Sequence, residues 1–358
     1  MRIHFKALAA PGFSNLAFSI LSFSVLSFSG PALAADPPKP LFASDQVITF
    51  TLSGPIAGIS RKPDAKPVPG VLKLTGSAPE TLPVALSTRG ITRRMKEICS
   101  FPPLRVEFTE KPGAASLFKG QKQLKLVTHC QSADKYEQDV LLEYSAYKLY
   151  NALTPESFDA RLAKVEYTSE DGHAIATRYG FFLEDIDDVA RRNGQKRLRG
   201  ANRISQTQLE AGAAARFAVF EYMISNLDWA MTASPPGRDC CHNSRLVGAK
   251  DSTTDLTTVP YDFDYSGLVD APYAVPPDGI NVANVRIRRY RGFCQHNEQA
   301  RAVAADLLAR RAEMLRIVDQ TPELSSSSRS RAARYLGEFF DEISSPDKVI
   351  DMLKTCLR

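Results

Sequence analysis

The sequence predicts an α+β chain of two lobes, with strands dominating the first lobe and helices the second. Short runs in which apolar and polar residues alternate with period two occur up to residue 128. From residue 185 onward the apolar residues instead recur at three- and four-residue spacing. A composition of 44% hydrophobic and 24% charged residues is typical of a globular protein. We therefore expect a strand-rich lobe over 35–185 and a helix-rich lobe over 186–358, with the boundary near 184–190.

Five segments of the first lobe are predicted to be strands, because they are short, alternate in polarity and lie between turn-forming residues. They span residues 47–52, 71–74, 82–86, 104–108 and 123–128.

A helix and a hairpin complete the first lobe. Residues 137–153 carry apolar side chains at helical spacing, and Pro155 follows the end of this segment. Residues 162–167 and 178–184 are strand-like and flank a Glu-Asp-Gly turn at 170–172. We expect these two segments to pair as an antiparallel hairpin.

The second lobe is predicted to contain one long helix, a polar tract and three later helices. The long helix covers 209–227, where the apolar residues share one face. The tract that follows is rich in polar and turn-forming residues and is expected to be loop-like. The later helices are expected at 298–320, 328–343 and 346–357.

The N-terminal segment has the pattern of a secretory signal peptide. Basic residues at its start are followed by an apolar run of about 13 residues over 16–28, and small residues end it at Ala32-Leu33-Ala34. The run is shorter than the roughly 20 residues that a bilayer span requires. We expect residues 1–34 to be removed and the protein to be exported, either to the periplasm or as a secreted protein.

Charge and hydropathy narrow the classes of partner. The formal net charge of +5, from 45 basic and 40 acidic residues, is too small for a dedicated nucleic-acid binder. No later stretch reaches the length of a membrane span, so no transmembrane segment is expected after signal cleavage.

The cysteines predict disulfides. The chain has six of them, and an even number in an exported protein favours pairing. One disulfide is expected within the first lobe, between Cys99 and Cys130. Two are expected within the second lobe, where one of Cys240 and Cys241 would pair with Cys294 and the other with Cys356. The alternative is a thiolate–imidazole metal site that also uses His242 and His296.

The polar tract of the second lobe contains the residue types that phosphoryl transfer requires. One carboxylate must orient the attacking hydroxyl, and an amide with a second carboxylate must hold Mg²⁺ on the phosphates. Asp228, Asn243 and then Asp262 or Asp264 occur in the corresponding chain order.

A basic residue precedes them at the position expected of a phosphate-bracing lysine. Lys125 lies on a predicted strand, and the helix after it carries Glu137 and Glu143. A strand Lys followed by a helix Glu is the pair that braces the α- and β-phosphates in kinases.

These motifs resemble a known group of kinases. Asn-Leu-Asp-Trp at 226–229, His-Asn at 242–243 and Pro-Tyr-Asp-Phe-Asp at 260–264 are similar to the catalytic core of atypical kinases of the HipA and spore-coat-protein-H (CotH) type. Leu-Ser-Thr-Arg-Gly at 86–90 resembles an R-G-x-S run of the CotH family, and Tyr-Gly-Phe-Phe-Leu-Glu at 179–184 resembles its strand before the second lobe. The resemblance covers residues from about 84 to 268.

The resemblance implies a protein-kinase-like fold and a role for each residue of the polar tract. Asp228 matches the catalytic Asp. Asn243 and Asp262, with Asp264 close by, match the ligands of the Mg²⁺ or Mn²⁺ that accompanies ATP.

The resemblance also implies which residues of the first half bind the nucleotide. Lys125 would brace the phosphates together with Glu143, and Glu184 would mark the hinge where adenine packs. Because the sequence has no Gly-rich phosphate loop, Arg94 and its neighbouring arginines would contact the phosphates instead. A further departure is the 15-residue distance from the catalytic Asp to the metal-binding Asn, which is only a few residues in the related kinases.

The leading hypothesis is therefore an exported atypical kinase that moves a phosphoryl group from ATP to a hydroxyl of a protein or small molecule. It requires Lys125, Asp228 and Asp262 to converge on one cleft. Two alternatives stay open: a kinase-shaped binding protein without catalysis, and a secreted protein stabilised by Ca²⁺ or Mg²⁺ at Asp262 and Asp264. Locally, Asp228 could instead cap a helix and Lys125 could be a solvated strand residue.

Overall fold

Strands of the first half curl into a closed barrel in the computed structural model. The structure describes residues 36–61, 66–76 and 78–358, together with Met1, Arg2 and His4. The expected signal peptide otherwise lies outside the described residues. Among the described residues the chain has a mixed α+β fold, with strands dominating the first part and helices the second.

The barrel has the strand order β1-β2-β3-β4-β5-β7-β6, and the parallel pairing of β1 with β6 closes it. All other neighbours pair antiparallel. The strands span Ile48–Ser53 (β1), Val68–Leu74 (β2), Glu80–Thr88 (β3), Leu104–Phe108 (β4), Gln123–Val127 (β5), Ala160–Thr168 (β6) and Ala174–Leu183 (β7). The five predicted strands and the hairpin are confirmed.

Alternation along each strand sorts the side chains into a barrel interior and an exterior. In β4, Leu104, Val106 and Phe108 are buried, whereas Arg105 and Glu107 are exposed. The interior side chains form one hydrophobic cluster, in which the rings of Phe50 and Phe182 stack at 5.3 Å between centroids. Because inward and outward residues alternate, a strand with apolar side chains inside the barrel can carry charged side chains, such as Arg105, on the outer face of the barrel.

Eight helices are present among the described residues. They are Ile56–Arg61 (α1), Asp134–Asn151 (α2), Ile186–Arg192 (α3), Ala211–Ile224 (α4), Asn297–Ala309 (α5), Arg311–Asp319 (α6), Ser326–Glu342 (α7) and Pro346–Leu353 (α8). The helix predicted over 298–320 is in fact two, because Arg310 leaves helical geometry at ψ 13°. Helix α1 was not predicted.

The ends of α4 are set by local interactions and determine where the polar tract begins. Glu210 caps its start by accepting hydrogen bonds from the N–H groups of Gly212 and Ala213, at 2.8 and 2.5 Å. Ser225 ends it in a left-handed conformation with φ 52°. The helix is therefore shorter than the predicted 209–227, and Asp228 lies in the loop beyond it.

The prediction that the polar tract is all loop is wrong. Strands Ser244–Gly248 (β9) and Thr257–Pro260 (β10) form an antiparallel hairpin, to which the short strand Lys196–Arg197 (β8) adds. The apolar residues of this hairpin are buried against α4 and its neighbours, but each run is too short to be recognised among polar residues. The pairing of Ser244 with Pro260 brings the residues just before β9 and just after β10 side by side.

The described residues from Asp36 onward belong to one compact unit. A second hydrophobic cluster, separate from the one inside the barrel, packs the helices against residues of two barrel strands, Val127 of β5 and Phe181 of β7. The division into lobes over 35–185 and 186–358 stays a prediction. No helix in the described part of the chain combines the length and apolar character that crossing a bilayer needs.

Three disulfides are present, and two of them differ from the predicted pairing. Cys99 pairs with Cys130, as predicted, across a Cα–Cα distance of 4.6 Å. The remaining pairs are Cys240 with Cys241 and Cys294 with Cys356. The prediction for the second half is wrong because the backbone near Cys294 pairs with the C-terminal segment, where its N–H donates to the carbonyl of Leu357 at 2.8 Å. Since none of these cysteines is free, the alternative thiolate–imidazole metal site does not form.

The disulfides should differ in their contribution to stability. Cys294 and Cys356 are 62 residues apart, so losing their bond frees a long loop in the unfolded chain and should cost about 4 kcal/mol. Replacing both by Ala should lower the free energy of unfolding by about that amount, measured by urea denaturation. Replacing adjacent Cys240 and Cys241 by Ala frees no loop and should cost less than half as much. Equal losses would contradict the chain-entropy explanation.

Candidate functional site

A cavity of about 370 Å³ lies between the barrel and the loops that follow α4 and the β9–β10 hairpin. It brings together residues that are far apart in the sequence. Five of the eight predicted site residues line it: Lys125, Asp228, Asn243, Asp262 and Asp264. Arg94, Glu143 and Glu184 do not.

Asp228 is held in place by the turn that follows α4. Its backbone N–H donates to Oδ1 of Asn226 at 3.1 Å, and the indole of Trp229 donates to the carbonyl of Asn226 at 2.9 Å. Trp229 packs in turn against Phe217 of α4, with ring centroids 5.1 Å apart. Asp228 therefore caps no helix, and its half-buried carboxylate faces the cavity.

The loop between Asp228 and Asn243 folds back on itself and closes the 15-residue gap. The N–H of Ala230 donates to the carbonyl of His242 at 3.0 Å, and the N–H of His242 donates to the carbonyl of Ala233 at 2.9 Å. As a result Nδ2 of Asn243 donates both to the carbonyl of Asp228 at 2.7 Å and to its Oδ2 at 3.0 Å. The long insertion therefore does not separate the predicted catalytic Asp from the predicted metal-binding Asn.

His242 forms a close pair with the same carboxylate. Its Nε2 lies 2.7 Å from Oδ1 of Asp228. This hydrogen bond raises the pKa of His242 above its usual value, against the opposing effect of burial. The predicted motif contained His242 only as a neighbour of the Asn. Its contact with Asp228 could not be found from spacing, because it depends on the return of the loop.

Asp262 and Asp264 follow β10 and point towards the same cavity. Asp262 has φ 70°, and its N–H donates to the hydroxyl of Tyr147 on α2 at 2.9 Å. Oδ2 of Asp264 accepts a hydrogen bond from Tyr273 at 3.0 Å and lies 3.8 Å from Nη1 of Arg93. Burial, together with the charge of Asp262, raises the pKa of Asp264.

The cation that pairs with the helix glutamate is Arg93 rather than Lys125. Nη1 of Arg93 lies 3.4 Å from Oε2 of the buried Glu143 on α2, and Nη2 donates to the carbonyl of Thr128 at 2.5 Å. Burial raises the pKa of Glu143, and the charge of Asp264 adds to this effect. The motif at 92–94 indicated an arginine here, but only the turn geometry decides that Arg93 lines the cavity and Arg94 does not.

Lys125 extends from β5 into the cavity. Its ammonium lies 5.8 Å from the ring centre of Phe158 and 5.7 Å from that of Tyr261. Burial lowers its pKa to about 8, and the charges of Arg89 and Arg245 contribute. Among the described residues, no carboxylate oxygen lies within 4.0 Å of it. Lys125 is therefore not a solvated strand residue, and an anion in the cavity would find it unpaired.

Glu184 lies away from the cavity, at the end of β7. Its carboxylate is buried, pairs with Arg192 at 3.2 Å and accepts the N–H of Asp159 at 3.0 Å. These contacts tie the end of the barrel to α3. Its predicted position at an adenine hinge stays a prediction.

The cavity carries both signs of charge. Carboxylates gather on the side of α4 and the hairpin, while the barrel and its loops contribute cations. Such a surface suits a polyanion that arrives with a divalent cation. The arginines on it, most of which the sequence motifs did not indicate, are Arg89, Arg93, Arg105, Arg238 and Arg245.

The donor set fits a metal that is shared with a ligand rather than a free-standing metal site. In the described part of the chain, no three His, Cys, Asp or Glu side chains are arranged to hold a metal ion. Asp262 and Asp264 supply two carboxylates, and Asn243 can add its amide oxygen because its amide nitrogen is used on Asp228. Mg²⁺ is commonly held by one or two carboxylates, with phosphate oxygens and waters completing its shell.

Comparisons with known proteins assign no family. No protein-family model and no curated protein matches the chain. Among solved structures, the crystal structure of a Helicobacter pylori proinflammatory kinase, CtkA, matches 71% of this chain and 90% of that chain, with 10% sequence identity and a TM-score of 0.37. A likeness at this level carries no argument, and the resemblance to the CotH and HipA kinases stays a prediction.

The pairing of His242 with Asp228 can be tested by titration. Asp228→Asn removes the charge that favours the imidazolium, so the pKa of His242 should fall towards its ordinary value. NMR of the histidine ring, assigned with His242→Gln, would measure it. Asp251→Asn, the same change at an exposed loop position, should leave the pKa unchanged. An unchanged pKa in Asp228→Asn would contradict the pairing.

Lys125 should lower the stability of the ligand-free protein. Its folded pKa of about 8 lies below the usual 10.5, so the unfolded chain binds more protons between these values and stability should rise with pH across this window. Lys125→Met should therefore raise the melting temperature by a few degrees at pH 7, with little effect at pH 10.5. Lys73→Met, at an exposed strand position, is the control. A lower melting temperature for Lys125→Met at pH 7 would show that the lysine has a stabilising partner.

Proposed function

We propose that this protein is an atypical kinase that transfers the γ-phosphoryl group of ATP to a hydroxyl of a protein or small molecule, with Mg²⁺ or Mn²⁺. The observation that carries this proposal is the meeting of Lys125, Asp228, Asn243 and Asp262 in one cavity. These residue types are the few parts that phosphoryl transfer requires of a protein. Their convergence, rather than any similarity to a solved structure, supports the proposal.

In this proposal the two parts of the fold act as two kinase lobes. The barrel contributes Lys125, together with Arg89 and Arg93, and these cations bind the phosphates. The loops after α4 and β10 contribute the carboxylates. Glu143 has the bracing role that the resemblance implied, but it acts on Arg93 instead of Lys125.

Asn243, Asp262 and Asp264 would hold the divalent cation. The cation would offset the negative charge that the phosphates carry. Since Oδ2 of Asp264 also accepts from Tyr273 and lies near Arg93, the chain itself fixes the direction of this carboxylate.

Asp228 orients the acceptor hydroxyl and accepts its proton. The hydroxyl oxygen forms a bond to the γ-phosphorus, the bond from that phosphorus to the bridging oxygen breaks, and ADP leaves with the electron pair. Asn243 and His242 hold the carboxylate in one orientation during this step, at 3.0 and 2.7 Å. Positioning of this kind supplies much of the rate enhancement in phosphoryl transfer.

We also propose that the protein works outside the cytoplasm, in the periplasm or as a secreted protein. Three intramolecular disulfides are typical of an oxidising compartment. The signal-peptide pattern at residues 1–34 supports the same location.

We favour the kinase over the two alternatives for reasons that concern the same residues. A kinase-shaped protein without catalysis was favoured by the distance in sequence between Asp228 and Asn243, yet these residues are in contact. A protein stabilised by a metal alone needs a fuller ligand set than the two carboxylates after β10.

The proposal predicts that ATP with Mg²⁺ or Mn²⁺ raises the melting temperature, whereas the metal alone does not. Asp262→Asn removes one charge from the proposed metal site and should weaken nucleotide binding. A tenfold weaker affinity would lower the stabilisation at saturating ATP by about 1.4 kcal/mol. Asp251→Asn is a matched control, because it makes the same change at a loop position that is also left-handed, with φ 62°.

Asp228→Asn should separate binding from transfer. The thermal shift with ATP and Mg²⁺ should persist, while transfer of ³²P from ATP to protein should fall by about 10²–10⁴-fold, the contribution of a general base. A structural role would instead lower the melting temperature of both variants without nucleotide. No response of the wild type to ATP with either metal would refute the proposed function.

A further inference from the structure

Asp228 and His242 line a second cavity in addition to the one described above. Its volume is about 350 Å³. The segment around Asp278 and two arginines, Arg289 and Arg291, line it as well. The Asp228–His242 pair therefore lines both cavities.

The two cavities differ in the groups that they offer. Lys125, Asp262 and Asp264 line only the first, where the phosphates and metal would lie. The second contains none of these groups, yet it reaches the carboxylate that would take the proton from the acceptor. An acceptor that occupies the second cavity could therefore bring its hydroxyl to Asp228 at the edge of the first cavity, where the γ-phosphate would lie.

Two arginines of the second cavity could bind an anionic group of a ligand. Arg291 donates to the carbonyls of Leu227 and Trp229 at 2.5 and 3.1 Å and lies 4.7 Å from the centre of the Trp229 ring, so its position is set. Arg289 is exposed and close enough for its charge to oppose that of Arg291. Among the described residues, no carboxylate oxygen lies within 4.0 Å of either guanidinium.

The charges of Asp228 and of the buried Glu221 act on Arg291, so Arg289 is the arginine of this cavity that the acids leave without an ion pair among the described residues. Asp228 is already hydrogen-bonded to His242 and Asn243. Asp278 lies on the exposed border and makes no ion pair within the described residues. An anionic group of a ligand would relieve the repulsion between the arginines.

The surface continues beyond the second cavity. Arg289 also borders a neighbouring cavity of about 630 Å³. This outer cavity has apolar surface from Val282 and Met352, and its charged side chains are of both signs: Arg288, Lys348, Asp341, Glu342 and Asp351. A small molecule would fill only the part next to Asp228. A chain that passes Arg289 could occupy both cavities and bury apolar side chains in the outer one.

We propose that the acceptor is a polypeptide in which a hydroxyl residue lies next to an acidic residue. The inference rests on the proposed phosphoryl transfer. The hydroxyl lies at Asp228, the acidic side chain lies at Arg289, and the following residues enter the outer cavity. The hydroxyl oxygen bonds to the γ-phosphorus as its bond to the bridging oxygen breaks, and the hydroxyl proton goes to Asp228.

Binding can be measured without catalysis, because Trp229 lines the second cavity and is the only tryptophan of the chain. Two peptides of equal length would be used, each with one Ser, flanked by Glu in one and by Lys in the other. The dissociation constant, measured from the change in Trp229 fluorescence, should be at least about tenfold lower for the Glu-flanked peptide than for the Lys-flanked one. Arg289→Glu should remove or reverse this preference. Arg301→Glu, the same change at an exposed position of α5, should retain it.

Transfer from ATP to the same peptides provides the second measurement. The ratio of kcat/KM for the two peptides should follow the binding preference in the wild type and change with Arg289→Glu. The thermal shift with ATP and Mg²⁺ should stay the same in this variant, since Arg289 does not line the first cavity.

The outcomes distinguish the two proposals. Selective peptide binding that depends on Arg289, without a response to ATP, would support the acidic-peptide site and refute the kinase. A response to ATP and transfer to Ser peptides without a preference, or with one that Arg289→Glu leaves intact, would overturn the acceptor site alone. Binding and phosphorylation of a small hydroxy acid such as glycerate in preference to both peptides would overturn the assignment to a polypeptide.

Discussion

Two hydrogen bonds from the amide of Asn243 to Asp228 are the contact on which the candidate site depends. They join the loop after α4 to the start of the β9–β10 hairpin, across a sequence separation of 15. The antiparallel pairing of that hairpin then brings the residue after β10 beside Asn243, where the N–H of Tyr261 donates to the carbonyl of Asn243 at 3.1 Å. Together with the backbone hydrogen bonds of Ala230 and His242, this contact fixes Asp228 relative to Asp262.

A second set of buried charges connects this loop region to the barrel. Arg93 reaches from the turn after β3 to Glu143 on α2, to Asp264 after β10 and to the carbonyl of Thr128 after β5. Breaking a buried pair of this kind leaves an uncompensated charge and is strongly destabilising, whereas the intact pair adds little stability. The value of the arrangement therefore lies in specificity: it sets the position of two carboxylates relative to the strand that carries Lys125.

Much of the fold could be predicted from local pattern. The five strands and the hairpin follow from alternation, which a half-buried barrel strand requires on purely geometric grounds. The β9–β10 hairpin, the division at Arg310 and the partners of Cys240, Cys241, Cys294 and Cys356 could not be predicted, because short buried runs and disulfide partners depend on distant neighbours.

The sequence by itself determined the residue types of the site and their order: a strand lysine, a helix glutamate, and then Asp228, Asn243 and Asp262. Only the tertiary structure decided which of them meet. It selected Arg93 over Arg94, and it gave Glu143 an arginine partner while leaving Lys125 unpaired among the described residues. The physical reason is that chemistry is encoded in side-chain type, which a sequence displays directly. Distance and burial, in contrast, arise from contacts between segments that local spacing does not specify.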